Sequence, residues 1–226
     1  MIIGNGLIAS SFHPYFANSS DIIIFASGVS NSRETNLAAF LRERILLEKA
    51  LSYQKYFVYF STCSLDDPDL QHTPYVLHKK SMEELVRSSE SYAIFRLPQL
   101  VGKTKNPYTL TNYLYQKIIS NTPFDLWQQA KRSLIDIDDM TAIAISLIQS
   151  SGMGRIEENI ACPFFVDMLQ LIHIFERVLG KKAIYALKNK GGAYAIDTQL
   201  ASAAAADLSI YFDEYYIEKL IDKYYG

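Results

Sequence analysis

Short apolar runs alternate with amphipathic segments along the first half of the chain, and this alternation limits the fold more than any other feature. Runs rich in Ile, Val, Phe and Tyr and bounded by turn residues predict buried strands of a parallel sheet, because both of their faces are apolar. The predicted strands are Met1–Gly4, Asp21–Ala26, Tyr56–Ser61, Tyr92–Leu97 and Ser133–Ile137. The alternation therefore predicts an α/β fold with a parallel sheet and crossover helices.

The segments between these strands have the periodicity of helices. The predicted helices are Asn36–Leu51, Tyr75–Ser88, Tyr108–Ile119 and Asp138–Ile148, and a further one follows the first strand. In Asn36–Leu51 the apolar stripe is Leu37, Phe40, Leu41, Ile45 and Leu47. Pro98 ends the fourth strand, since proline cannot donate to a central ladder.

The alternation of apolar runs and amphipathic segments ends after Ser150. Gly152 and Gly154 mark a loop, helices are predicted over Phe164–Leu179 and Asp213–Tyr225, and no further strand is predicted. We expect two units, residues 1–150 built around the sheet and residues 151–226 as a smaller lobe.

Composition excludes several classes of function. The 226 residues carry 22 basic and 24 acidic side chains, a net charge of −2, which disfavours a nucleic-acid partner. No apolar run approaches the ~20 residues that a bilayer span requires, and the N-terminus lacks the basic region of a signal peptide. Two cysteines and four scattered histidines have no metal-ligand spacing. We expect a cytoplasmic protein with no metal, no membrane contact and no nucleic acid.

The first predicted strand runs into a glycine turn, Gly4-Asn5-Gly6-Leu7-Ile8-Ala9, with the pattern G-x-G-x-x-A. Glycines at the first two positions allow a tight turn and a close approach to a pyrophosphate, and a small third residue lets helix and strand pack closely. The N-terminus of the following helix offers free N–H groups to an anion. An ordinary strand-to-helix turn without a ligand is the alternative.

The segment after this turn is short for a dinucleotide site. Such a site has an acidic residue about 20 residues on, at the end of the second strand, where it holds the adenosine ribose. Here Asp21 stands at the start of the next strand, and only Leu7–Ser20 separate the two strands. A strand-helix-strand unit takes about 30 residues, so we predict that one such unit is missing on the adenine side.

A hydroxyl cluster, Ser61-Thr62-Cys63-Ser64, ends the third strand, and Tyr75 and Lys79 follow at the start of a helix. The i to i+4 spacing places Tyr75 and Lys79 on one helix face. A tyrosine near pKa 10 exchanges protons at neutral pH only if its phenolate is stabilised, and an ammonium group does so by charge.

The same spacing also occurs at Tyr113/Lys117 and Tyr215/Lys219, so a helix-surface pair is the alternative for Tyr75/Lys79. Only Tyr75/Lys79 follows a cluster of hydroxyl side chains at a strand end. We expect Cys63 to be a packing residue and His78 to lie on the helix surface.

Taken in order, these segments resemble the extended short-chain dehydrogenase/reductases, in particular the nucleotide-sugar epimerases, dehydratases and ketoreductases. The similar segments are GNGLIAS, DIIIFASGVSNS, YFSTCS, YVLHK, RLPQLVG (Arg96–Gly102) and KRSLIDIDDM (Lys131–Met140). The resemblance covers nearly the whole chain. It implies a Rossmann-like parallel sheet with flanking helices, missing one strand-helix-strand unit. It also implies that residues 1–150 bind a dinucleotide and that residues 151–226 are a small C-terminal substrate lobe.

The resemblance also implies residue roles. Tyr75 would be the catalytic acid/base, Lys79 would lower its pKa and bind the nicotinamide ribose, and Thr62 would bind the reacting sugar oxygen. The implied cofactor-binding residues are Gly4, Asn5, Gly6, Leu7, Ile8, Ala9, Ala26, Ser27, Gly28, Ser61, Tyr75, Lys79 and Pro98. The implied substrate-binding residues are Ser64, Gln99 and Arg132, the last on a substrate diphosphate. The cofactor would be NAD or NADP.

These expectations together describe an NAD(P)-dependent nucleotide-sugar epimerase or 4-ketoreductase, homodimeric through Asn36–Leu51 and Tyr75–Ser88. Elimination of water is disfavoured by the same resemblance. The dehydratases of this family have two acidic residues after the threonine, whereas Cys63 and Ser64 follow Thr62 here. Two alternatives stay open. One is a Rossmann-like binding or regulatory module without turnover, which the missing unit favours; the other is an oxidoreductase for a small non-sugar carbonyl.

Overall fold

Eleven strands and eight helices form the structure, a computed structural model that describes residues 1–226. The strands are β1 (Ile2–Ile3), β2 (Ile22–Phe25), β3 (Tyr56–Thr62), β4 (Tyr92–Leu97), β5 (Gln99–Val101), β6 (Phe124–Trp127), β7 (Lys131–Arg132), β8 (Leu134–Asp136), β9 (Arg155–Asn159), β10 (Val166–Asp167) and β11 (Tyr185–Lys188). The helices are α1 (Leu7–Phe16), α2 (Leu37–Leu51), α3 (Pro74–Arg87), α4 (Leu110–Ile119), α5 (Ile137–Ser150), α6 (Met168–Leu179), α7 (Gln199–Asp207) and α8 (Tyr216–Tyr225).

The central sheet is parallel and five-stranded, with the order β1-β2-β3-β4-β9. This confirms the predicted α/β fold with a Rossmann-like parallel sheet. All seven residues of β3 are buried, as expected for a central strand with helices on both faces. The 3₁₀ turn Cys63–Asp66 follows β3 directly.

The strand that leads into the glycine turn lies at the edge of the sheet. β1 pairs only with β2, through Ile2 opposite Ile24 and Ile3 opposite Phe25. In a Rossmann sheet of order 3-2-1-4-5-6, two further strands stand beyond the first one. Both are absent here, and the predicted loss of a strand-helix-strand unit is thus visible as an open sheet edge.

Helices cover both faces of the sheet. On one face α2 and α3 pack through Leu47 and Met82 against a fully buried cluster that includes Phe57 and Tyr59. On the other face α1, α5 and α7 pack around Phe12, Ile143 and Ala205.

The structure corrects the predicted boundary at residue 150. β9 lies beyond it, yet it pairs with β4 as the fifth strand of the central sheet. Its sequence, Arg-Ile-Glu-Glu-Asn, has three charged residues, so it lacks the apolar run by which strands are recognised. Conversely α4 and β6, before the boundary, pack with α6 and α8 in one cluster around Leu114, Phe124, Phe175 and Ile221.

Three pairs of short strands connect these layers: β5 with β8, β6 with β11, and β7 with β10. Only β8 had been predicted, since strands of two to four residues give little periodicity. None of the eight helices has both the length and the apolar character needed to cross a lipid bilayer.

Candidate active site

The glycine turn brings two chain segments into close contact. Gly4 has φ +133°, a conformation that favours glycine, and a Cβ atom there would lie 2.3 Å from the carbonyl oxygen of Ala26. α1 then begins at Leu7 with Gly6 as its N-cap and no side-chain cap. The first-turn N–H groups of α1 therefore have no side-chain acceptor and are available to an anion.

A cleft of about 400 Å³ opens at the carboxyl ends of β2, β3 and β4, where ligands bind in open parallel sheets. Most of the predicted site residues line it. They are Asn5, Gly6, Leu7, Ile8, Ala26, Ser27, Gly28, Ser61, Thr62, Ser64, Tyr75, Lys79, Pro98 and Gln99. The structure thus brings together segments that lie up to 94 positions apart in the sequence, from Asn5 to Gln99.

Three predicted residues do not line this cleft. Gly4 and Ala9 border a second, more open cavity beside the turn, and Ala9 is buried in the packing of α1. Arg132 lies on β7, with its Nη1 bound to the carbonyl oxygen of Lys131 at 2.8 Å. Burial raises the pKa of Tyr194, and the Arg132 guanidinium and Ser64, a residue of the cleft wall, act in the opposite direction.

Tyr75 stands at the start of α3. Thr73 caps this helix by accepting a hydrogen bond from the Val76 amide, and Pro74 occupies its first turn. Burial raises the pKa of Tyr75 to about 12, against the lowering effect of a hydrogen bond with the Thr62 hydroxyl, and the Glu43 carboxylate raises it further. Tyr75 is therefore protonated at neutral pH in this structure.

The hydrogen-bond partners of the Lys79 ammonium group do not include Tyr75. This group donates to Oε1 of Glu43 at 3.0 Å, to the Tyr59 hydroxyl at 3.0 Å and, at a long 3.5 Å, to the carbonyl oxygen of Phe60. No hydrogen bond joins Lys79 to Tyr75, and Lys79 is not among the groups that shift the pKa of Tyr75.

Glu43, on α2, is fully buried behind the cleft. Its carboxylate accepts hydrogen bonds from the Val29 amide at 2.6 Å, the Tyr59 hydroxyl at 2.7 Å and His78 Nε2 at 2.9 Å, in addition to Lys79. Burial alone would raise the pKa of Glu43, but Lys79 and these donors together hold it at about 2. Glu43 is therefore ionised at any pH near neutrality.

His78 belongs to the same buried group. The prediction that it lies on the helix surface is wrong, because its ring stacks on Phe40 at 4.6 Å between centroids and its side chain is only 8% exposed.

Two further groups near Thr62 differ in their chemistry. The hydroxyl of Ser61 is buried in the cleft wall without a hydrogen-bond partner. A buried hydroxyl without a partner destabilises the folded protein, and a ligand that hydrogen-bonds to it would remove this penalty. Cys63 is fully buried, and burial raises the pKa of its thiol well above the usual value, so it is an unreactive packing residue as predicted.

The charges that line the cleft are all positive. Among its 26 lining residues there is no Asp or Glu, and the two cations are Lys79 and Arg42. Arg42, on α2, donates from Nη1 to the Ser27 hydroxyl at 3.2 Å and from Nη2 to the Ser27 carbonyl oxygen at 3.0 Å. Because Lys79 is paired with Glu43, Arg42 is the cation that a bound anion would meet.

Sequence reasoning missed Glu43, Arg42 and Tyr194. Phe40, Glu43, Leu47 and Ala50 form the buried face of α2 at intervals of three and four residues, so a charged residue inside an apolar face was the signal for Glu43. Arg42 precedes it on a solvent-facing position, and Tyr194 lies in a loop without periodicity, so neither has such a signal.

Comparisons with known proteins agree with this architecture. The family model described as "NAD dependent epimerase/dehydratase family" matches residues 7–161. No curated protein sequence matches the chain. Among solved structures, a UDP-glucose 4-epimerase from Bifidobacterium longum, in complex with NAD+ and UDP, is similar with a TM-score of 0.72 at 16% identity, over 97% of this chain and 80% of that one.

Two other solved structures show the same fold. A UDP-glucuronic acid 4-epimerase from Bacillus cereus, in complex with UDP-glucuronic acid and NAD, has a TM-score of 0.72 at 14% identity over 98% of this chain and 87% of that one. A dTDP-glucose 4,6-dehydratase from Bacillus anthracis, in complex with NAD, has a TM-score of 0.69 at 14% identity over 98% of this chain and 77% of that one.

Proposed function

Because this chain belongs to the NAD dependent epimerase/dehydratase family, we propose that it is a nucleotide-sugar 4-epimerase or 4-ketoreductase that uses Tyr75 as its acid/base. One observation supports this most strongly: Thr62, Tyr75 and the unpartnered hydroxyl of Ser61 meet in a single cleft whose other wall is the glycine turn. A proton-transfer group, a substrate-oxygen ligand and a phosphate-binding turn are the parts that this chemistry requires.

NAD is the cofactor that the family name and the similar structures indicate, and the cleft fits it both at the glycine turn and on the nicotinamide side. A Cβ atom at Gly6 would meet nothing within 4 Å, which leaves room for phosphate oxygens at the N-terminus of α1. The buried Ser61 hydroxyl has no hydrogen-bond partner in the protein, so it is available to the cofactor. The weak 3.5 Å contact of Lys79 with Phe60 leaves one donor for a ribose hydroxyl. A nicotinamide ring held by these residues would supply or accept hydride.

The remaining steps, substrate binding and proton transfer, are assigned to side chains of the protein. Thr62 binds the reacting sugar oxygen, and the Tyr75 hydroxyl exchanges a proton with that oxygen. Ser64 and Gln99 contact the sugar, while Arg132 binds the diphosphate from its position beside Tyr194, because a guanidinium group suits phosphate oxygens. Substrate and cofactor thus meet between the turn of α1 and the residues around β7.

The adenine side of the same cleft is incomplete. β1 is an edge strand, and no carboxylate lines the cleft to hold an adenosine ribose. Arg42, held by Ser27 next to the glycine turn, is the group on this side that binds cofactor phosphate. This arrangement favours a weakly held, exchangeable cofactor, and with it a reductase over an epimerase, which retains its cofactor.

We also propose a homodimer through α2 and α3. Leu37, Leu41 and Ile45 form an exposed apolar stripe on α2, and Leu77 is exposed on α3. They belong to the apolar stripe identified in the sequence, whereas the buried face of α2 is the one with Glu43. An exposed apolar stripe on neighbouring helices is the kind of surface that a second copy covers.

The replacement Tyr75→Phe tests the proposal. It removes one hydroxyl, and we expect turnover of a nucleotide-4-keto-sugar with NADH to fall about 10²- to 10⁴-fold, since this is the usual contribution of a general acid. Tyr113→Phe is the matched control, because Tyr113 has the same spacing to a lysine, on α4, outside the cleft. Equal loss in both variants, or none in Tyr75→Phe, would refute the assignment.

The open sheet edge of β1 favours a second candidate, a dinucleotide- or nucleotide-binding module without turnover. In that case the native protein binds ligand in the cleft, but Tyr75→Phe changes no reaction, because none exists. Measuring ligand binding and turnover on the same preparation separates the two functions.

A further inference from the structure

Residues 103–109, between β5 and α4, form one rim of the cleft, and we call them the rim loop. Thr104, Asn106, Tyr108 and Thr109 of this loop line the cleft. The loop leads into α4, which packs in one cluster with α6 and α8. The cleft therefore lies between the central sheet and a loop that belongs to the C-terminal cluster.

Asn112, on the first turn of α4, fixes the rim loop. Its Nδ2 donates to the carbonyl oxygen of Asn106 at 2.7 Å and to that of Thr104 at 2.9 Å. Its Oδ1 accepts a hydrogen bond from the Tyr225 hydroxyl at 2.7 Å. These contacts use both N–H donors and the oxygen of the amide, so they set its orientation. Because the Tyr225 ring packs on Phe175 at 5.3 Å between centroids, α8 holds the rim loop through Asn112.

Asn106 reaches from the rim loop to the opposite wall of the cleft. Its Oδ1 accepts a hydrogen bond from the Tyr108 amide at 3.0 Å, so Nδ2 is the atom that faces Ser30. Nδ2 lies 3.5 Å from the Ser30 hydroxyl oxygen, and we call this contact the bridge. Ser30 follows Val29, which is buried and donates its amide to Glu43 at 2.6 Å. Both ends of the bridge are thus fixed, while the contact itself is long and exposed.

The bridge narrows the opening of the cleft, because Ser30 and Asn106 both line it. A single long hydrogen bond between exposed groups contributes little free energy, so it opens readily. The fixed ends bring the two groups together again. A contact that opens and closes in this way changes how fast a ligand enters and leaves, and it changes both rates in the same direction.

We propose that Asn112 is a positioning residue that holds the rim loop so that Asn106 bridges to Ser30, and that this bridge limits the rates at which a nicotinamide nucleotide enters and leaves the cleft. The inference rests on the proposed function for the identity of the ligand. It goes beyond that function, because it assigns a kinetic role to residues outside the proton-transfer group.

The test measures the association and dissociation rate constants of NADH by stopped-flow fluorescence with the whole chain. Ser30→Ala removes the bridge and leaves the rim loop intact. We expect both rate constants to rise about 2- to 10-fold, the factor of one hydrogen bond, with the dissociation constant changed less than about twofold. Ser32→Ala is the matched control, because Ser32 lines the same cleft but the bridge is made by Ser30.

Asn112→Ala tests the positioning role. It removes both hydrogen bonds to the rim loop and leaves Ser30 and Asn106 in place, so we expect both rate constants to rise at least as much as in Ser30→Ala. Gln116→Ala, on the exposed side of the same helix, is the control and should leave both unchanged. A merely structural role of Asn112 would not accelerate association.

Two results would overturn the inference. Unchanged rate constants in Ser30→Ala would show that the bridge limits neither step. A rise of the dissociation rate constant alone would show that Ser30 binds NADH directly. Ser30 is exposed, so its replacement keeps the test decisive even if Asn112→Ala does not fold.

The outcome is separable from that of the proposed function. If Tyr75→Phe leaves turnover intact while Ser30→Ala accelerates NADH exchange, only the proposed function fails. If Tyr75→Phe abolishes turnover while Ser30→Ala leaves both rate constants unchanged, only the role of the bridge fails. Absence of NADH binding to the native protein would overturn the inference as well.

Discussion

The two sides of the cleft differ sharply in how completely they are built. The nicotinamide side has Ser61, Thr62 and Tyr75, with Lys79 held by a buried carboxylate. The adenine side has an edge strand, a glycine turn and a single arginine, with no acid in the cleft wall. Under the proposed function, the residues assigned to chemistry and those assigned to cofactor affinity are separate, and it is the second group that is incomplete.

This contrast concerns how the free energy of cofactor binding is divided between the adenosine and nicotinamide halves of the cofactor. Dinucleotide enzymes normally gain much of their cofactor affinity from adenosine, which a strand beyond β1 would hold. Under the proposed function, cofactor binding without that strand rests on the N-terminus of α1, Arg42 and the nicotinamide side. The variants below change one side at a time.

The largest effect is expected from the charge pair of the nicotinamide side. Glu43 has a pKa of about 2 in the folded protein against 4.5 unfolded, so it contributes stability above pH 4.5 that is lost as the pH falls toward 2. The lost stability should be about 2 kcal/mol by pH 3 and about 3 kcal/mol once the carboxylate is fully protonated. Urea unfolding at pH 6 and pH 3 should show it in the native protein, and Glu43→Gln should have a much smaller pH dependence. An unchanged dependence would show that the pair is not formed.

The glycine turn should be the next most sensitive point, now on the adenine side. Gly4→Ala combines φ +133° with a Cβ atom 2.3 Å from the Ala26 carbonyl oxygen. We expect a loss of about 2 kcal/mol in the free energy of unfolding, the scale of backbone strain, measured by urea unfolding.

Gly6→Ala is the matched control for this prediction, since its Cβ atom would meet nothing within 4 Å. It should leave stability within about 0.5 kcal/mol and weaken only cofactor binding. Equal destabilisation by both changes would contradict the structure of the turn.

Arg42→Ala should affect affinity without affecting chemistry. Removing the cation that faces the cofactor phosphates should weaken NADH binding about 5- to 10-fold, the range of one charge-assisted hydrogen bond, and leave turnover at saturation unchanged. Calorimetric titration measures the first and steady-state kinetics the second. Arg44→Ala, on the outer face of the same helix, is the control. A fall in turnover without a loss of affinity would break the proposed separation of the two sides.

The smallest effect concerns Ser61, whose hydroxyl is buried without a partner. Ser61→Ala removes that group, so the free protein should become more stable by about 1 kcal/mol, while cofactor affinity falls. Opposite signs of the two changes, measured by thermal unfolding and calorimetry, would show that the site holds an unsatisfied group for its ligand. A loss of stability would instead show that the hydroxyl is structurally used.

The sequence predicts the sheet well, because its central strands are apolar on both faces and end in recognisable turns. It also predicts the glycine turn, the missing unit and the cluster of Thr62 with Tyr75, since each follows from spacing along one segment. It does not predict β9, whose charged residues conceal a strand at the sheet's edge.

The buried position of Glu43 could not be predicted from the sequence, for a different reason. The stripe Leu37, Leu41 and Ile45 is the more apolar face of α2, yet it is exposed, and the face with Glu43 is buried. Burying a carboxylate is unfavourable unless partners meet it, and those partners, Tyr59 and Lys79, come from distant segments. Which face turns inward is decided by contacts that periodicity does not contain.

The most direct test of the contrast between the two sides compares reduced nicotinamide mononucleotide with NADH by calorimetric titration of the native protein. The account predicts saturable one-to-one binding of both, with dissociation constants within about tenfold, because adenosine finds no strand or carboxylate to bind it. Binding of NADH more than about 100-fold tighter than the mononucleotide would show that a complete adenine site exists, and would contradict the account.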